Sequence, residues 1–306
     1  MFRSVILAAA RSPRVERLVE TAPISRDVVR RFVAGTGTAD ALRATRELVE
    51  DSLAVTIDNL GEDTLTAEQA EATRDEYVRL LRALSDAELT PAAEVSVKLS
   101  ALGQRFDEKL AYAHAHAICA AASEAGTTVT LDMEDHTTAD STLEVLSRLR
   151  VDFPTIGAVV QAYLRRTEGD CHELSGPGSR VRLCKGAYKE PETVAYQSKL
   201  DVDLSYVRCL NILMSGEGYP MLATHDPRLI AIGEDRARWF DRSSDTFEFQ
   251  MLYGIRPVEQ KRLAEAGYTV RVYVPYGTEW YGYLMRRLAE RPANMAFFAR
   301  ALRSKS

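Results

Sequence analysis

A short strand, a turn and an amphipathic helix recur eight times along this chain, and that repeat limits its fold more than any other feature. Strands are read at Leu53–Asn59, Val95–Leu99, Val129–Met133, Ala158–Tyr163, Val181–Lys185, Met221–Thr224, Phe247–Leu252 and Val270–Val274. In the last of these Val270, Val272 and Val274 share one face while Arg271, Tyr273 and Pro275 share the other, the period of a strand. Helical patterns fill the gaps. Thr66 with Gln69 forms a capping pair, and Thr138 and Asp226-Pro227 mark later helix starts. Such alternation predicts a parallel sheet, and eight strands suffice to close a barrel. A doubly wound sheet is the competitor, but no GxGxxG turn follows the first strand. The expected class is therefore α/β, a (βα)8 barrel. No low-complexity tract divides the repeat, so residues 49–306 are expected to form one barrel domain, supported by a 46% hydrophobic content. Residues 1–48 read as an N-terminal helical arm, broken at Ser12-Pro13, Pro23 and Gly35-Thr36-Gly37.

Charge and cysteine usage narrow the function. A net charge of −5 at pH 7 argues against a general nucleic-acid binder. Cys119, Cys171, Cys184 and Cys209 show no metal-ligand spacing and are expected to be reduced thiols. The opening M-F-R-S-V-I-L-A-A-A-R is short for a signal peptide and reads as a small helix. No apolar stretch approaches the roughly 18 residues of a membrane span. The expected location is cytoplasmic, and peripheral contact with the inner face of the plasma membrane is compatible with this composition.

Strand parity then locates a candidate site. The apolar set of each strand should pack on helices, leaving Lys98, Asp132, Gln161, Arg182, Glu248 and Tyr273 to point inward near the strand ends. Barrel interiors are normally filled by branched apolar side chains, and buried charges are costly unless paired. One pair such as Lys98–Asp132 could be purely structural. Polar groups from six strands gathered at one end point to a site. After the last strand, Tyr283, Arg286, Arg287 and Glu290 fall at i, i+3, i+4 and i+7 on one helix face. Two adjacent guanidiniums, a carboxylate to hold one of them and nearby tyrosines make a receptor for a small carboxylate; the competing reading is a solvated face. A Schiff-base aldolase is a rival function, with Lys98 or Lys185 as nucleophile, although Lys185 has the parity that faces the helices. A metal-dependent hydrolase is weaker still, because His114 and His116 lie at i and i+2 of a helix and face apart, as surface histidines.

Seven segments in order, S-V-K-L-S-A-L-G, L-D-M-E-D, V-V-Q-A-Y-L-R-R-T, R-L-C-K-G-A-Y-K-E-P, A-T-H-D-P-R, F-E-F-Q-M-L-Y-G-I-R and Y-V-P-Y-G…Y-L-M-R-R-L-A-E, resemble those of the proline dehydrogenases, above all the monofunctional bacterial form. The resemblance runs from about Asp58 to Asn294. It implies a distorted barrel holding FAD, oxidation of L-proline to Δ1-pyrroline-5-carboxylate, and electrons passed to a quinone. By the same resemblance Lys98, Arg286 and Arg287 hold the substrate carboxylate, Glu290 fixes the Arg287 fork, and Asp132, Tyr273, Tyr283 and Leu252 wall the pocket. Arg182 approaches flavin N5 and Gln161 the pyrimidine edge. Cys184, the Gly186-Ala187 backbone, Lys199, Thr224, His225 and Glu248 hold the rest of FAD. Cys184 stands where valine is expected and Gln197 where some relatives carry threonine. The proton acceptor for the amine stays unassigned. The loop with Arg256 is a candidate cover for the substrate, gated by Glu290–Arg256 or Arg287–Glu290 pairing. A catalytically inactive flavin-binding scaffold is the remaining alternative.

Overall fold

In the computed structural model residues 29–61 and 64–290 are described, and the side chains of Arg286, Leu288, Ala289 and Glu290 lie outside that description. The strands are β1 (Ala54–Asn59), β2 (Ala93–Val97), β3 (Val129–Leu131), β4 (Gly157–Gln161), β5 (Arg180–Cys184), β6 (Tyr219–Ala223), β7 (Glu248–Leu252) and β8 (Thr269–Tyr276). All neighbours pair in parallel, in chain order, and β1 meets β8 from Ala54–Arg271 to Asn59–Tyr276 to close the barrel. The expected strand bounds hold to within a residue or two. The main differences lie at the mouth, where Leu99 opens a 3₁₀ turn (Leu99–Leu102) and Asp132 and Met133 leave the sheet. Toward the other end Gly157, the first residue of β4, lets that strand approach β3: a Cβ on it would sit 2.6 Å from Thr130 Oγ1.

The helices are α1 (Thr38–Glu50), α2 (Ala67–Asp86), α3 (Glu108–Glu124), α4 (Ala139–Leu149), α5 (Thr167–Leu174), α6 (Lys199–Ser215), α7 (Pro227–Trp239), α8 (Pro257–Glu265) and α9 (Trp280–Glu290). Side-chain caps set several starts: Thr66 accepts from Gln69 N, Asp107 from Lys109 N and Leu110 N, Ser198 from Asp201 N, and Asp226 from Arg228 N. Thr138 occupies the cap position of α4 but its hydroxyl donates to Asp135 O instead. Helix α1 packs on β8 and β1, and residues 1–28 of the expected arm lie outside the described residues.

The outward strand faces, among them Val55, Ile57, Val95, Val97, Val181, Leu183, Phe249, Val272 and Val274, form one buried cluster with Leu80, Leu81 and Leu84 of α2 and Ile118 of α3. Each such side chain stabilises the fold by about 1.5–3 kcal/mol. His114 corrects the surface reading: it is 5% exposed, whereas His116 meets Asp152 at 3.3 Å.

The barrel interior carries polar side chains at both ends, with Val159 and Met221 between them. At its closed end Glu94 pairs with Arg180 at 2.7 Å and accepts from Thr56 at 2.9 Å and Thr130 at 3.1 Å, while Glu248 pairs with Arg271 at 2.8 Å. A cavity of about 360 Å³ lies beside these pairs, lined by Tyr219 and Thr128 as well. Glu248 therefore departs from the expected flavin-binding role. Its inward parity was read correctly, but it is the first residue of β7. Leu252, at the mouth, is four residues and roughly 13 Å further along the strand.

Candidate active site

At the mouth each strand delivers one or two polar side chains. Lys98 follows β2 in extended conformation and so keeps the inward parity of Glu94 and Ser96. Its ammonium donates to both carboxylate oxygens of Asp58, each at 2.8 Å, and lies 3.7 Å from Asp132 Oδ2. The expected Lys98–Asp132 pair is thus secondary to Lys98–Asp58. Asp132 accepts from Arg182 Nη1 at 2.8 Å and Ser96 Oγ at 2.9 Å on one oxygen, and from Tyr273 OH at 2.8 Å on the other. Arg182 also donates from Nε to Gln250 Oε1 at 2.6 Å and lies over the Tyr273 ring at 5.2 Å. Two carboxylates and two cations share this buried space, so each offsets part of the desolvation cost of its neighbours.

Burial is the largest influence on Asp58 and raises its carboxyl above the usual range; Lys98 opposes that and Asp132 reinforces it. Burial likewise lifts the Tyr273 phenol well above its ordinary value, which keeps it a hydrogen-bond donor to Asp132. The Cys184 thiol is pushed up to about 11 by burial and donates to Val160 O at 3.5 Å, so it packs rather than reacts.

On the β4 to β7 side, Gln161 donates to Glu134 O at 2.7 Å, and the Glu134 carboxylate accepts from Ser100 N and Oγ to fix the 3₁₀ turn. Gly186 has φ +108, and a Cβ there would meet the Tyr163 ring at 2.2 Å; glycine alone lets the Gly186-Ala187 backbone cross that ring. Thr224 is buried and accepts from Asp226 N at 3.1 Å. His225 Nε2 accepts from Leu252 N at 2.9 Å, and its carbonyl accepts from Arg256 Nη1 at 2.9 Å, tying the loop after β7 to the mouth. Lys199 is largely exposed and pairs with Asp203 at 2.6 Å. Lys185 is held by Asp203 at 2.5 Å and Asp226 at 3.1 Å, on the helix side of the sheet. On α9 the Arg287 guanidinium lies 5.2 Å over the ring of buried Tyr283. The side chains of Arg286 and Glu290 lie outside the described residues, and so does the expected pairing of Glu290.

Asp58 and Gln250 are the site residues that sequence reasoning missed. The parity of Thr56 and Asp58 against Val55 and Ile57 was available to find the first.

A family model described as proline dehydrogenase matches residues 41–300. The chain belongs to the proline dehydrogenase family. Membership carries oxidation of proline, the first step of proline catabolism, and leaves the lyase and inactive-scaffold readings without support. Proline dehydrogenase 1 of Bacillus subtilis is 39% identical over 276 residues, covering 90% of this chain and 91% of the relative. Proline dehydrogenase of Deinococcus radiodurans is 40% identical over 307 residues, covering 99% and 98%. Among solved structures, proline utilization A from Bdellovibrio bacteriovorus superposes with a TM-score of 0.80 at 27% identity over 86% of this chain and 32% of that one. The likeness to these proline dehydrogenase family members thus extends from motifs to the whole barrel.

Proposed function

We propose that FAD accepts the electrons at the barrel mouth and that L-proline is held there by its carboxylate. The observation that carries this reading is the donor set around Arg182. Its Nη2 is buried and has no hydrogen-bond partner among the described residues, with Glu94 Oε1 at 3.9 Å. A buried donor left unmade costs about 1–3 kcal/mol, so an acceptor supplied by a ligand stabilises this arrangement. Gln161, Cys184, the Gly186-Ala187 backbone, Lys199, Thr224 and His225 lie at or after the C-terminal ends of β4, β5 and β6, and their chemistry suits a polar, anionic cofactor. Glu248 is omitted because it sits at the closed end.

In this reading Lys98, Arg286 and Arg287 bind the proline carboxylate, and Glu290 fixes the Arg287 fork. Asp132, Tyr273, Tyr283 and Leu252 wall the ring. Anchoring the carboxylate at three cations holds the ring carbon beside nitrogen in a single orientation, which removes most of the entropy of finding it. When bound, FAD supplies the two-electron acceptor for the hydride leaving that carbon. Δ1-pyrroline-5-carboxylate is the product, and the electrons pass on to a quinone. We further propose that residues 1–48 are an arm and 49–306 the catalytic barrel, and that the enzyme works in the cytoplasm, in peripheral contact with the plasma membrane that carries the quinone. Among the described residues no helix is long and apolar enough to cross a membrane.

The test is an absorption spectrum before and after anaerobic L-proline. Flavin bands at about 450 nm that bleach on proline are expected. A protein that stays colourless after incubation with FAD sinks the cofactor assignment.

A further inference from the structure

We propose that Asp58 is a positioning residue for substrate binding: it fixes the Lys98 ammonium at the place in the mouth where the proline carboxylate is received. The inference rests on the reading of Lys98 as a carboxylate-binding group.

The geometry is one-sided. Both Asp58 oxygens lie 2.8 Å from Lys98 Nζ, and Asp58 is 2% exposed. Asp132, the other carboxylate nearby, already accepts from Arg182, Ser96 and Tyr273 and stands 3.7 Å from the ammonium. Of these two carboxylates Asp58 is the one that holds the ammonium by direct hydrogen bonds. The backbone around Asp58 is also held: it stands opposite Ser96 of β2 and Pro275 of β8. Tyr77 of α2 stitches β1 to β2 beside it, accepting from Asn59 N at 3.2 Å and donating to Ser96 O at 2.7 Å.

A lysine stem carries about 2 kcal/mol of rotamer entropy. A carboxylate that takes two of the ammonium protons from a rigid strand removes that freedom before substrate arrives, and preorganisation of this kind appears as affinity. Asp58 thus acts through Lys98 and need not touch proline. A buried carboxylate kept only for stability would show no dependence on Lys98 in binding.

The experiment is a double-mutant cycle on the full-length protein supplied with FAD, with D58N, K98M and the double variant, each checked by a thermal melt. Two quantities are read: KM and kcat for L-proline, and the Kd of cyclopentanecarboxylate, which offers ring and carboxylate without the amine. D58N is expected to raise KM and Kd about tenfold and to change kcat less than about threefold. In the K98M background the same change should cost less than about twofold. Unchanged KM and Kd in D58N, or an equal loss in both backgrounds, overturns the proposal. If D58N does not fold, D58E keeps the charge while displacing the ammonium. Weaker binding of cyclopentanecarboxylate by about threefold or more is expected there, and wild-type affinity overturns the proposal. A wild-type protein that binds cyclopentanecarboxylate but does not oxidise proline sinks the proline reading alone, and the Kd cycle still decides the role of Asp58.

Discussion

Tyr283 is buried on α9 beneath the Arg287 guanidinium, in the position proposed to wall the substrate ring. A 4-hydroxyl on that ring needs room that the phenol occupies. Tyr283→Ser is expected to raise activity on hydroxyproline relative to proline by about tenfold, since a small change in pocket volume is worth about 1–3 kcal/mol. Steady-state kinetics on both substrates check this, and an unchanged ratio would remove Tyr283 from the specificity wall. Gly186 is constrained differently, by its positive φ and by the Tyr163 ring 2.2 Å from a would-be Cβ. Gly186→Ala should therefore cost about 1–3 kcal/mol of stability, read as a lower Tm, together with weaker retention of FAD.

At the scale of elements, the loops that leave the sheet are held by caps that serve two neighbours at once. Asp226 caps α7 through Arg228 N at 3.1 Å and reaches Lys185, beyond β5, at 3.1 Å. The Arg228 guanidinium, with help from Lys185, holds its carboxyl below the usual range. Asp226→Ala is expected to lower stability in urea denaturation by about 1 kcal/mol, the usual worth of such a cap. Lys185 keeps Asp203 as a partner, so the change should not unfold the barrel. A loss of folding would mean that Lys185 depends on Asp226 alone. The strands were legible because period two survives wherever one face packs on helices. Asp132 and Lys98 lie just past their strands, and there the reading of β2 and β3 ran long: the residues keep strand parity after the ladder has ended.

Across the whole molecule, the closed end of the barrel is an acid-sensitive brace that meets the mouth residues through Arg182 and Gln250. Burial works to raise the Glu94 carboxyl, but Arg180, Arg271 and Arg182 outweigh it and hold it at about 2. A depressed folded value means that Glu94 adds stability above its unfolded value of about 4.3, and that this is lost as pH falls through the folded one. Thermal melts should show a falling Tm between about pH 4 and pH 2, and Glu94→Gln should lower Tm at pH 7 while flattening that acid dependence. Its KM for proline should stay within about twofold, because the brace lies at the far end from Lys98. An equally steep acid loss in the variant would assign the effect to other carboxylates. The eightfold repeat, the inward parity of the polar residues and the order of the motifs were determined by the sequence alone, because pleat and periodicity are local properties of the chain. Parity states which way a side chain points but not how far along the barrel axis it lies. Glu248 was for that reason read into the mouth, and only the register of β7 on β8 places it against Arg271. Partner choice was likewise settled in three dimensions. Lys98 prefers Asp58 over Asp132 because β1 lies beside β2 in the closed sheet and Asp132 is already engaged by Arg182, Ser96 and Tyr273.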